Sequence, residues 1–94
     1  MAIAAAQMNA KDAIKLAFQH FHDFFDEASP QHVLLEGVSF EEDTNSWIVS
    51  IGFEIEKTRR GGVMIPFGQV ARETRRFHLE DGSGNLLSVD SAQT

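Results

Sequence analysis

The chain has 94 residues, 43% hydrophobic and 10% aromatic, a composition that fits one folded domain and excludes a disordered chain. It has no cysteine, which excludes disulfides, thiolate catalysis and cysteine-based zinc sites. A net charge of −6 disfavours general nucleic-acid binding.

A domain of this length buries about 60–65% of its unfolded surface, enough for a modest core. Eight of the nine aromatics are Phe, with Trp47 alone and no Tyr, so the core needs few polar partners. The charge is unevenly spread. Residues 1–56 hold Lys11 and Lys15 against ten Asp and Glu; residues 57–76 hold the other six Lys and Arg against Glu73 alone. No apolar run approaches the roughly 20 residues of a membrane span. The opening MAIAAAQM is too short for a signal-peptide core, so the expected location is the cytoplasm.

Residues 1–9 read as an Ala-rich, frayed start. Asn9 is placed to cap a helix, with Asp12 adding negative charge in its first turn. The spacing predicts that helix over residues 10–28. Ile14, Phe18, Phe21, Phe25 and Ala28 share one face, which Ala17 and Phe24 widen. Such a stripe is a core face more often than a ligand box. Ser29-Pro30 stops the helix, because a residue preceding proline is pushed out of helical geometry.

A first strand is expected over Gln31 to Glu41, with Val33, Leu35, Val38 and Phe40 facing the core. The parity of its apolar residues changes at Gly37, which predicts a bulge. Glu42 to Asn45 form a turn. The clearest pattern in the chain follows: Trp47, Val49, Ile51, Phe53 and Ile55 alternate strictly with Ser50, Gly52, Glu54 and Glu56. This is a long strand with one face on a core. Gly61-Gly62, Pro66 and Gly68 then break the pattern. Alternation returns from Ala71 to Glu80. Asp81 to Asn85 read as a tight hairpin loop, and Leu86 to Ser91 as a last strand with Leu87 and Val89 inward.

The predicted fold is α+β, order α-β-β-β-β, with residues 31–91 forming one antiparallel sheet packed on the helix. This order resembles the PepSY-like and wider cystatin-like folds, in which a curved antiparallel sheet wraps one helix. The residues carrying the likeness are Ala13 to Ala17, the Trp47–Ile55 strand, and the run Arg76 to Val89. That run is similar to the closing "hydrophobic strand, Asp-x-x-Gly, hydrophobic strand" hairpin of PepSY domains. The resemblance covers most of the chain and implies a fold.

Three groups of residues are candidate sites. The segment after the second strand carries Val63, Met64, Ile65 and Phe67 beside Arg59 and Arg60, an apolar cluster with a polar rim that fits a partner surface. It equally fits a plug folded back on the sheet. Arg72, Arg75 and Arg76 are candidates for binding an anion; the competing reading is a set of cross-strand ion pairs with Glu54 and Glu56. Arg75 shares its parity with Phe77 and Leu79, so it points either inward or to the sheet end. The histidines form no ligand spacing beyond His22 with Asp26, and no metal is expected.

No nucleophile motif or phosphate-binding loop is present, and no cofactor is implied. The expectation is a small non-catalytic interaction module that binds a protein partner or itself, with a homodimer favoured and neither nucleic acid nor membrane as partner. The alternatives are a ligand-binding protein or enzyme using a helix–sheet cavity, and an immunity- or antitoxin-like protein that binds a basic partner.

Overall fold

A computed structural model describes residues 7–56 and 70–91. Helix α1 spans Ala10–Phe25 and is followed by a 3-10 turn, Asp26–Ala28. Strands β1 (Gln31–Glu41), β2 (Ser46–Glu56), β3 (Val70–Glu80) and β4 (Leu86–Ser91) form one antiparallel sheet in the order β1-β2-β3-β4. The architecture is therefore α+β, one helix on a four-stranded meander.

The helix begins as its sequence dictates. Asn9 Oδ1 accepts the Asp12 N–H at 2.8 Å, satisfying one of the four free amides of the first turn. The helix tightens to 3-10 geometry three residues before the expected end. Ser29 then takes a left-handed φ of 51° ahead of Pro30, which ends the element.

The core is built where the two periodicities meet. Ala13, Ala17 and Phe21 are fully buried at helical spacing, and the two alanines let the helix backbone lie close to the sheet. Opposite them, β2 supplies Trp47, Val49, Ile51 and Phe53, and β3 supplies Phe77 and Leu79. The β2–β3 register pairs Trp47 with Leu79 and Val49 with Phe77, so these side chains share the inner face. Phe21 is the centre of the cluster, with ring centroids 5.0 Å from Phe53, 5.2 Å from Phe25 and 6.3 Å from Phe77. Edge and offset contacts at these distances add to the area term.

Length sets what the helix covers. Sixteen helical residues span about 24 Å, whereas eleven strand residues span about 36 Å. The helix starts at the β3–β4 hairpin, where Leu16 lies against Gly84, and ends over Phe53 and Arg75. The far ends of β2 and β3 run on past it. Leu35 shares the inner face with Ile51 but, on the edge strand, remains 43% exposed. Val33, Val38 and Phe40 are partly buried, as expected of inner positions.

Three positions depart from simple alternation. β1 has two register shifts, one between Gln31 and Leu34 and one between Leu35 and Gly37. The first contains His32 at a left-handed φ of 53°. The second confirms a bulge beside Gly37, with Glu36 as the displaced residue. In β4 a shift between His78 and Leu79 of β3 places Leu86 opposite Leu79. Leu86 thereby takes the inward position expected of Leu87, and Leu87 is 53% exposed.

Candidate functional site

The predicted partner surface, Arg59, Arg60, Val63, Met64, Ile65 and Phe67, lies outside the described residues. The three arginines of β3 are described, and the sheet separates them. Arg72 and Arg76 are on the outer face; Arg75 is on the inner face opposite Ile51.

Arg72 of β3 is held by two other strands at once, β1 and β2. Its guanidinium lies 3.0 Å from Glu36 of β1 and 3.9 Å from Glu54 of β2, and donates to the His32 carbonyl at 3.3 Å. Glu36 also accepts the Thr74 hydroxyl at 2.8 Å, and His32 Nδ1 lies 2.9 Å from Glu54. The Thr74 hydroxyl, followed by the Arg72 guanidinium, holds the Glu36 carboxyl below the usual range. This crossing exists because Gly52 of β2 has no side chain: a Cβ there would meet the Glu36 carboxylate and come within 2.7 Å of Arg72.

Arg76 bonds Asp90 of β4 at 2.7 Å, and His78 reaches the same carboxylate at 3.2 Å. Asp90 is lowered chiefly by Arg76, against a partial desolvation that raises it. The outer face is thus a ladder of cross-strand ion pairs, each worth roughly 0.2–1 kcal/mol where exposed. The Glu54–Arg72 pair is the cross-strand contact that the sequence parity anticipated.

Arg75 is the unusual cation, because it faces the helix. Its guanidinium sits 5.8 Å from the Phe25 ring centroid, lies 2.8 Å from Glu73, and donates to the Ser91 hydroxyl. Stacking on the ring and pairing with Glu73 offset its partial desolvation.

At the opposite end, Asp81 does more than turn a hairpin. Its carboxylate accepts the backbone N–H of Gln7 at 2.7 Å and of Met8 at 2.9 Å, and the Trp47 indole N–H at 3.2 Å. The Gln7 and Met8 amides are the main reason its carboxyl is lowered. One side chain therefore joins the segment before α1 to β2 and to the β3–β4 turn. A lone Asp in a turn motif carries no sequence signal for this role.

The histidines do not converge: His22 lies 3.2 Å from Asp26, His20 lies 3.3 Å from the Gly84 carbonyl, His32 lies 2.9 Å from Glu54 and His78 lies 3.2 Å from Asp90. Among the described residues no group of three or more His, Asp or Glu is arranged to hold a metal ion. Among the described residues no helix is long and apolar enough to cross a membrane.

The feature that sequence reasoning missed is an apolar cleft of about 390 Å³ between the last turns of α1 and strand β4, lined by Phe24, Phe25 and Val89. Phe24 is 62% exposed at its mouth. The helical stripe includes Phe24, but only the helix's placement over β2 and β3 shows that this ring overhangs the sheet instead of entering the core. Among the described residues β4 has no strand on its outer side, so the cleft borders an open sheet edge. Comparisons with protein-family models, with curated proteins and with solved structures found no match.

Proposed function

We propose that this domain is a small non-catalytic interaction module and that the cleft between α1 and β4 is a contact surface. The observation that carries the reading is Phe24, a large aromatic side chain left 62% exposed beside Phe25 and Val89 at a sheet edge that no described strand covers. Large exposed rings next to unpaired backbone mark surfaces that a partner covers. Ligand sites of comparable size carry convergent polar groups that orient their ligand. The described lining of this cleft is aromatic and aliphatic only, and the nearby Arg75 is already engaged by Glu73 and Ser91. That favours a protein surface over a small molecule or a reaction centre.

In this reading the partner is a protein and neither nucleic acid nor a membrane, in keeping with the acidic chain, and the setting is the cytoplasm. The helix followed by a four-stranded meander is compatible with a resemblance to PepSY-like and cystatin-like folds, and a fold of this kind assigns no substrate.

Thermal and urea unfolding of Phe24→Ser tests the reading. A contact surface predicts a change within about 0.5 kcal/mol, as for surface substitutions. A loss of about 3 kcal/mol or more would show the ring to be core packing and overturn the assignment.

A further inference from the structure

We propose that the occupant of this surface is a second copy of the chain, joined by antiparallel pairing of the two β4 strands about a two-fold axis at Val89. The proposal rests on the reading of the cleft as a contact surface and adds the partner and the register.

An open sheet edge presents a row of N–H and C=O groups that another strand can pair. The two edges of this sheet are not equivalent. β1 carries two bulges, the left-handed His32, and the exposed carboxylates Glu36 and Glu41, with Glu42 and Asp43 next in the chain. Bulges and like charges are the usual means by which an edge is kept from pairing. β4 has one shift at its start and then a regular run, Ser88 to Ser91. A β4-to-β1 contact would also be head-to-tail and open-ended, whereas β4 with β4 closes as a dimer.

Charge and pattern select the register. Residues facing each other in an antiparallel pair lie on the same face of the joined sheet, so the axis must pass through a residue position. An axis at Asp90 would set two carboxylates opposite each other, which is destabilising. An axis at Ser88 would leave Asp90 opposite Leu86. An axis at Val89 places Asp90 opposite Ser88 of the second copy, a donor for a carboxylate that uses only part of its acceptor capacity on Arg76 and His78. On the inner face Val89 meets Val89 of the second copy, while Leu87, displaced by the shift, stands exposed at the same edge. Because Val89 also lines the cleft with Phe24 and Phe25, this axis brings the two clefts face to face and covers both exposed Phe24 rings.

The chain has no cysteine, so a single introduced thiol reports one position. Multi-angle light scattering of the wild type should give a dimer, and oxidation of Val89→Cys should give a covalent dimer. Ser39→Cys, on the β1 edge, should remain monomeric under the same denaturing readout. Leu87→Lys, at an exposed position, should weaken dimerisation about tenfold or more, with the melting curve of the dilute, monomeric protein unchanged. A monomeric wild type, a covalent dimer through Ser39→Cys but not Val89→Cys, or a dimer indifferent to Leu87→Lys overturns the proposal. Read in dilute protein, where the chain is monomeric, the Phe24→Ser unfolding test reports the monomer alone, so a monomeric wild type would remove the second copy as partner while the contact-surface reading is judged separately.

Discussion

Glu36 of β1 and Arg72 of β3 meet at 3.0 Å although β2 lies between them. The bulge at Glu36 swings its side chain over the outer face, and Gly52 leaves the gap through which it crosses. Two irregularities on separate strands are thus one device, a clamp that ties three strands together.

The clamp predicts non-additivity between Gly52 and Glu36. A methyl group at Gly52 evicts the end of a flexible carboxylate without forcing the backbone, so Gly52→Ala should abolish the bridge. Losing a part-exposed, charge-assisted bond costs about 1 kcal/mol, while replacing a strand glycine by alanine returns roughly 0.5–1 kcal/mol. In the wild type the two effects nearly cancel. In a Glu36→Ala background only the gain remains, and Gly52→Ala should stabilise. A urea double-mutant cycle should therefore show a coupling of about 1 kcal/mol, and additive effects would contradict the clamp.

Asp81 predicts an acid-sensitive attachment of the segment before α1. Its carboxyl is lowered by the Gln7 and Met8 amides, as Glu36 is by Thr74 and Arg72 and Asp90 by Arg76. A carboxyl depressed in the folded state binds protons less readily there than in the unfolded chain. Its stabilisation is fully present above the unfolded value of about 4 and is lost as pH falls through the lowered folded value. Stability should thus fall with pH below about 4, and Asp81→Asn should flatten part of that fall. Trp47 is the single tryptophan and bonds Asp81 directly, so its emission should shift in Asp81→Asn near neutral pH. A pH profile and Trp47 spectrum identical to the wild type would contradict the role given to Asp81.

These residues mark how far the sequence was legible. The alternation from Trp47 to Ile55 and the Ala17–Phe21–Phe25 spacing are local patterns, and they gave the strand, the helix and the faces that meet. Asn9, Ser29 and Pro30 act on their own neighbourhood, so the helix limits were readable to within three residues. Gly37 betrayed a bulge, but the purpose of the displacement depends on Gly52 two positions into another strand's outer face, which no local pattern encodes. Alternation points Leu87 inward with Val89, but a one-residue shift against Leu79 gives that place to Leu86. Arg75 was recognised as out of place by parity alone, and its partners Glu73, Ser91 and Phe25 belong to three different elements. The cleft was hidden for a geometric reason: which part of the Phe stripe is buried depends on where a shorter helix lies on longer strands.

A described surface consistent with association is the edge where α1 ends and no described strand covers β4. The central claim is that β4 pairs with β4 of a second copy at this edge. Amide hydrogen exchange of Leu87 to Ser91, followed across a dilution series, tests it most directly. Every other amide of β4 points away from β3 toward the free edge. The account predicts that these outward amides exchange rapidly in dilute protein and become protected as concentration rises, while the outward amides of β1 do not change. Rates for β4 that are the same at every concentration would contradict it.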